Sequence, residues 1–142
     1  MKASENAYAL IKKYEGLRLK SYQDSVGKWT IGYGHTRNAC PDKEITIREA
    51  EMFLKWDVED AEMGINKLKL DLTQNQFDAL VDWVFNLGIG NLRRSTLLKI
   101  MSQNPNDPNI RKEWIRWCRA GGVILNGLVQ RRNEEIDLYE NT

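Results

Sequence analysis

Three side chains near the start of the sequence carry groups that could activate water: the carboxyl groups of Glu15 and Asp24 and the hydroxyl of Thr30. A carboxylate and a hydroxyl that face each other can hold one water, which the carboxylate deprotonates while the hydroxyl orients it. A second carboxyl group that keeps its proton can act as an acid. Glycoside hydrolysis requires such a pair of carboxyl groups in different environments. By residue type alone, however, structural carboxylates greatly outnumber catalytic ones.

The first of these groups stands at a predicted helix end. Residues 7–14 are good helix-forming sequence, and Gly16 is where a left-handed residue would end the helix. Glu15 therefore faces the partial negative charge of the last helical carbonyls, which favours its protonated form. This environment suits an acid.

The other two groups flank a predicted β-hairpin. From Ser21 onward, Tyr, Val, Trp, Thr and Ile surround a glycine-containing turn. If the turn is residues 26–28, Asp24 and Thr30 pair directly across the hairpin, with Cβ atoms roughly 4.5–5.5 Å apart. We therefore expect both side chains to share one water.

The spacing of the three groups resembles the phage-type lysozymes (endolysins) of glycoside hydrolase family 24. Eight residues separate Glu15 from Asp24, five separate Asp24 from Thr30, and residues 31–36 read Ile-Gly-Tyr-Gly-His-Thr. In that family the three positions are the catalytic Glu, Asp and Thr. The resemblance implies that Glu15 protonates the leaving oxygen, Asp24 activates water or stabilises charge, and Thr30 positions the water, with inversion at the anomeric carbon.

The same resemblance implies a substrate and its contacts. The substrate is peptidoglycan, cleaved at the β-1,4 bond between N-acetylmuramic acid and N-acetylglucosamine, and no cofactor is required. The implied substrate-binding residues are Thr36, Phe85, Asn86 and Thr96. For Phe85, a plain core position is equally expected, because the surrounding helix is apolar on most sides.

Supporting contacts are implied as well. Asp57, in the segment FLKWDVEDA, is expected to form a partly buried ion pair with His35 and to have a lowered pKa. An arginine in the segment GLVQRRNEE is expected to approach Glu15. Arg131 is the candidate, and Arg132 remains an alternative.

The rest of the chain indicates an α+β, mostly helical lysozyme-like fold. It has a small N-terminal lobe with the β-hairpin, a long connecting helix that begins after a capping box at residues 46–49, and a helical C-terminal lobe. We expect a single domain, 1–142, with lobes at roughly 15–60 and 70–142. As in the family, helix 3–14 packs on the C-terminal lobe. Near the end, we expect a helix from Ile110 through Cys118 that ends at residues 120–122, a turn at 126–127 and a last helix from Leu128.

Composition excludes several function classes. A formal net charge of +1 over 142 residues does not predict a nucleic-acid partner. One histidine and two scattered cysteines, Cys40 and Cys118, match no metal spacing, so we expect no metal and two free thiols. No apolar run reaches membrane-spanning length, and the first six residues are too polar for a signal peptide.

These features and the resemblance predict a monomer made in the cytoplasm of a bacterial host that acts on the glycan strands of the cell wall. We expect no stable membrane insertion, and a holin is a candidate partner for release. Two alternatives compete with this hypothesis: a catalytically silent wall-binding protein on the same fold, and a glycosidase of the same mechanism that acts on chitin-like polymers.

Overall fold

The computed structural model describes residues 1–141 and confirms the α+β, mostly helical prediction. Among these residues, no helix combines the length and the apolar composition that crossing a bilayer requires. The elements in chain order are α1 (Glu5–Glu15), β1 (Arg18–Gln23), β2 (Trp29–Gly32), α2 (Ile47–Asn66), α3 (Gln74–Leu87), α4 (Ile89–Arg94), α5 (Thr96–Gln103), α6 (Ile110–Ile115), β3 (Arg119–Ala120), β4 (Val123–Ile124) and α7 (Asn126–Glu140).

Helix α2 is the long helix that the sequence predicts. The Thr46 hydroxyl accepts the Glu49 N–H at 3.1 Å, and the Glu49 carboxylate accepts the Thr46 N–H at 3.1 Å, which completes the capping box. The 20 residues of α2 span about 30 Å at 1.5 Å per residue. Its buried side chains recur every three or four residues, so one stripe faces the core: Ala50, Leu54, Val58, Ala61 and Ile65.

Helix α3 lies at the centre of the helical packing, where it contacts α1, α2 and α7. Its middle residues are buried on all sides, and Trp83 has no exposed surface. Two acidic residues, Asp78 and Asp82, are equally buried in this apolar helix. Buried carboxyl groups need partners. Asp78 accepts hydrogen bonds from Ser4, just before α1, and from Gln74 on α3, whereas the partner of Asp82 lies on α7.

The hairpin forms, but with a different register from the predicted one. Thr30 pairs with Tyr22, and Trp29 pairs with Gln23, so the prediction that Asp24 lies directly opposite Thr30 is wrong. Asp24 is two residues beyond Tyr22 and keeps the same face as Thr30. The two residues are therefore diagonal neighbours, a relationship that places Cα atoms roughly 7–8 Å apart.

The side chain of Asp24 explains the shifted register. Its Oδ1 accepts N–H groups of Val26 at 3.0 Å and Lys28 at 2.8 Å, and the Asp24 N–H donates to the Lys28 carbonyl at 2.9 Å. Aspartate closes turns in this way by bonding to backbone N–H groups further along the chain. The turn is therefore centred on Val26 instead of Gly27.

The segment before α7 also differs from the prediction. Helix α6 ends at Ile115, and a two-stranded hairpin, β3–β4, occupies residues 119–124 where a helix end was expected. Gly121 and Gly122 both have positive φ, 58° and 80°. A two-residue hairpin turn of type I′ needs positive φ at both positions. Helix α7 consequently begins at Asn126, two residues before the predicted start.

Candidate active site

The carboxyl group of Glu15 contacts the C-terminal helix. Glu15 is the last residue of α1, and Gly16, with φ 68°, turns the chain toward β1. Arg131 Nη1 donates to Glu15 Oε2 at 2.7 Å, and Arg131 is only 4% exposed. The alternative that the sequence left open is thus resolved, because Arg131 approaches Glu15 while Arg132 contacts other groups.

Arg131 is itself held by Asp82 on α3. The guanidinium donates from Nε to Oδ2 at 2.9 Å and from Nη2 to Oδ1 at 2.8 Å, a two-bond pairing between buried side chains. Burial acts to lower the pKa of Arg131, but Asp82 and then Glu15 outweigh it and raise that pKa. Arg131 therefore stays a fixed positive charge beside Glu15.

Arg132 forms a second buried pair. Its Nε and Nη2 donate to the two carboxylate oxygens of Glu135 at 2.6 and 2.8 Å, and Nη2 also donates to Asn86 Oδ1 at 2.8 Å. Trp114 Nε1 donates to Glu135 Oε1 at 3.0 Å. The amide of Asn86, predicted to bind substrate, is thus anchored to α7 through its oxygen.

Asp82 and Glu135 differ in how readily they ionise. Burial acts to raise the pKa of Asp82, but hydrogen bonds from Arg131 and Glu135 hold it below its usual value of 3.8. Burial, followed by the hydrogen bond and charge of Asp82, raises the pKa of Glu135 well above its usual 4.5. The two carboxyl groups share the charge of two arginines, and Asp82 is the one that ionises first.

Gly34, the third residue of the Gly-Tyr-Gly segment, stands where a larger side chain would not fit. Its φ is 72°, which favours glycine, and a Cβ added there would overlap Glu15 Oε1 and lie 3.0 Å from Glu15 Cδ. The backbone of Gly34, which follows β2, therefore packs closely against the Glu15 carboxyl group. Arg131 binds one carboxylate oxygen, Oε2, and Gly34 lies against the other, Oε1.

The hydroxyl of Thr30 and the carboxylate of Asp24 lie on the hairpin. Thr30 is 4% exposed, and its Oγ1 donates to the Lys28 carbonyl at 3.1 Å. The Thr30 oxygen therefore keeps lone pairs for a donor such as water. Asp24 is half-buried, and its two backbone hydrogen bonds fix the orientation of its carboxylate.

The predicted pair between His35 and Asp57 is confirmed. Nδ1 of His35 lies 2.7 Å from Asp57 Oδ2, the side chains are 8% and 21% exposed, and the imidazole stacks on Phe53 with ring centroids 4.5 Å apart. The lowered pKa expected for Asp57 is wrong. Burial raises that pKa and outweighs the opposing hydrogen bond and charge of His35. The pair ties the end of the hairpin to α2.

The structure distributes the other predicted site residues over two cavities. Thr36 and Phe85 line one cavity of about 280 Å³ together with Gly34, which presses on Glu15. Thr96 lies instead in a cavity of about 670 Å³, beside Trp117 and three arginines. Thr36 and Phe85 thus share a cavity with Gly34, the neighbour of the Glu15 carboxyl group, whereas Thr96 lines a separate cavity.

Sequence reasoning missed Asp82, Glu135 and Gly34. A signal existed for the acids: Asp82 interrupts an apolar helix, and Glu135 stands three residues after Arg132, a spacing that places both on one helix face. Within residues 1–141, no group of three or more His, Cys, Asp or Glu side chains is arranged to hold a metal ion. The prediction of two free thiols is confirmed, with Cys40 exposed and Cys118 partly buried.

Comparison with known proteins identifies the class of the protein. The family described as phage lysozyme matches residues 12–135. An endolysin from Acyrthosiphon pisum secondary endosymbiont phage 1 is 41% identical over 146 residues, which cover 99% of each chain. An endolysin from Bacillus phage B103 is 41% identical over 143 residues, which cover 98% of this chain and 54% of that relative.

Among solved structures, the muramidase domain of SpmX from Asticaccaulis excentricus superposes with a TM-score of 0.90 at 34% identity, covering 99% of each chain. The chain belongs to the phage lysozyme family. It covers 99% of the length of the first of these endolysins and about half of the second.

Proposed function

We propose that this protein is an endolysin of the muramidase type, a glycoside hydrolase that cleaves the β-1,4 bond between N-acetylmuramic acid and N-acetylglucosamine in bacterial peptidoglycan. The observation that carries the proposal is the placement of Glu15. Its carboxyl group is held by Arg131 at 2.7 Å and pressed by Gly34, which also lines the 280 Å³ cavity. Membership of the phage lysozyme family supports the substrate class.

In the proposed mechanism, Glu15 protonates the leaving glycosidic oxygen. Asp24 removes a proton from the attacking water, and the Thr30 oxygen accepts the other hydrogen of that water and orients it. The diagonal arrangement of Asp24 and Thr30 leaves more room for a water than a directly opposed pair would. Attack by a water held opposite the leaving group inverts the anomeric carbon.

The glycan strand would run between two lobes, roughly residues 15–60 and residue 70 onward, with α1 packed on the second. Thr36 and Phe85, which share one cavity, are proposed to contact sugar, and Thr96 is proposed to contact the strand further along. For Asn86, the proposed contact uses the amide nitrogen, because Arg132 binds the oxygen. His35 and Asp57 keep the hairpin in place on α2.

In the cell, we propose synthesis in the bacterial host cytoplasm and action on the wall as a monomer without a cofactor. A holin is the proposed partner for release. These proposals extend the names of the relatives, which are endolysins of phages.

Product analysis tests the proposed function. Purified peptidoglycan should yield fragments with new N-acetylmuramic acid reducing ends, which borohydride reduction and mass spectrometry identify. Chitin oligomers serve as the competing substrate. New N-acetylglucosamine reducing ends, cleavage confined to chitin, or binding to the wall without cleavage would each contradict the proposal.

A further inference from the structure

Asp82 is a buried carboxylate that does not line the cavity shared by Thr36 and Phe85, yet it holds the arginine that touches Glu15. It has no exposed surface, and both of its oxygens accept hydrogen bonds from Arg131, at 2.9 and 2.8 Å. Arg131 then donates a third bond, at 2.7 Å, to Glu15. One guanidinium is therefore divided between two carboxyl groups on different helices.

We propose that Asp82 is a positioning residue for the acid: it takes up most of the charge of Arg131 and so leaves Glu15 able to hold the proton that the reaction needs. This inference rests on the proposed function of Glu15. A positive charge beside a carboxyl group favours its ionised form, and an acid that has ionised cannot protonate a leaving oxygen. Arg131 is thus useful for orientation but harmful as an unbalanced charge.

The geometry supports an uneven division of that charge. A pairing through two parallel N–H groups is stronger than a single bond, and its strength is greater where water is excluded. The Asp82 side chain is fully buried, whereas that of Glu15 is 20% exposed. Arg131 is therefore bound more tightly to Asp82 than to Glu15.

The other charged and titratable groups around Arg131 come from α1 and α7. Tyr14 places its ring 5.5 Å from the guanidinium and donates its hydroxyl to Glu134, which Lys13 also contacts. Burial, then this hydrogen bond, raises the pKa of Tyr14, so it stays neutral at the pH of the assay.

On α7, Glu135 lies 3.9 Å from Arg131 Nε, but its two shorter ion-pair contacts are with Arg132. Among these neighbours, Asp82 is the group that can balance Arg131 directly. Removing the charge of Asp82 should therefore strengthen the effect of Arg131 on the Glu15 carboxyl group.

The test is the pH profile of kcat and KM for Asp82→Asn. Replacing the carboxylate by an amide of the same shape leaves Arg131 with Glu15 as its closest anion. The limb of the pH profile on which kcat falls with rising pH should move to lower pH by about 1 unit, the low end of what a neighbouring opposite charge produces. KM should change little, because Asp82 contacts no substrate.

Asp78→Asn is the matched control. Asp78 lies one turn earlier on α3, is equally buried, and accepts hydrogen bonds from Ser4 and Gln74, away from both arginines. The Asp78→Asn variant should be less stable than the wild type, but its kcat should fall over the same pH range. A lower kcat at every pH with an unmoved limb in Asp82→Asn would overturn the inference, because a merely structural role predicts that result.

A second variant covers the case in which Asp82→Asn fails to fold. Arg131→Gln removes the positive charge but leaves Asp82, so the same limb should move to higher pH. An unmoved limb would show that the charge of Arg131 does not act on Glu15, which overturns the inference. Inactivity of the wild-type protein on peptidoglycan is a separate result and would contradict the proposed function instead.

Discussion

Arg131 Nη1 lies 2.7 Å from Glu15 Oε2, although the two residues are 116 positions apart in the chain. The contact joins the end of the first helix to the last helix, across the central helix α3. The proposed acid is therefore positioned by the far end of the sequence. Substitutions near the end of α1 and substitutions in α7 should therefore both affect the Glu15 carboxyl group.

Gly34→Ala should reduce activity far more than stability. A methyl group at this position would overlap Glu15 Oε1 and displace the proposed acid, and a misplaced acid costs roughly a factor of 10². Peptidoglycan turnover and thermal unfolding should be measured together. The control is Gly122→Ala, which has a similar positive φ of 80° but nothing within 4 Å. Equal losses of activity in the two variants would argue against this role for Gly34.

Asp57→Ala should destabilise the protein by about 1–3 kcal/mol, because it leaves the buried His35 ring without its 2.7 Å partner. Asp60→Ala is a matched control on the same helix. It breaks an exposed pair with Arg37, and exposed pairs contribute about 0–1 kcal/mol. Urea unfolding at neutral pH measures both. If Asp60→Ala lowers the free energy of unfolding as much as Asp57→Ala does, the His35–Asp57 pair has no special stabilising role.

Glu135→Gln should change how stability depends on pH. Burial and Asp82 raise the pKa of Glu135, so its contribution is fully present below the unfolded pKa, usually 4.5, and is lost as pH rises through the folded value. The glutamine is neutral throughout. Wild-type protein should therefore lose stability relative to Glu135→Gln as pH rises above the unfolded pKa of glutamate.

Asp82 contributes to stability with the opposite dependence on pH, so its contribution can be distinguished from that of Glu135. The lowered pKa of Asp82 gives stability that is present above its unfolded pKa, usually 3.8, and is lost only as pH falls below that value. Urea unfolding of the wild-type protein and of Glu135→Gln at several pH values measures the difference in their free energies of unfolding. If this difference stays constant with pH, or if the wild type becomes relatively more stable as pH rises, the raised pKa assigned to Glu135 is wrong.

The helices and the general fold were predictable because their signals are local. The capping box at Thr46 marks the start of α2, and apolar spacing gives its buried face. The hairpin was predicted, but its register was wrong. Register depended on how the side chain of Asp24 bonded to the turn, which spacing alone does not reveal.

The candidate site was predictable only where a family motif carried it. The motif indicated Glu15 and an arginine near residue 131, but the choice between Arg131 and Arg132 depended on which face of α7 meets α1. Asp82 could not be assigned because its partner is 49 residues away, and burial alone does not identify a partner. Such contacts follow from helix packing, which no single segment determines.

The measurement that tests the central claim most directly is the release of new reducing ends from purified peptidoglycan by Glu15→Gln. The amide keeps the shape of the side chain but has no proton to give, so the rate should fall by about 10²–10⁴-fold while the thermal unfolding transition remains cooperative. Glu5→Gln, the same substitution in the first turn of the same helix, should keep the wild-type rate. A folded Glu15→Gln protein that releases reducing ends at the wild-type rate would contradict the assignment of Glu15 as the acid.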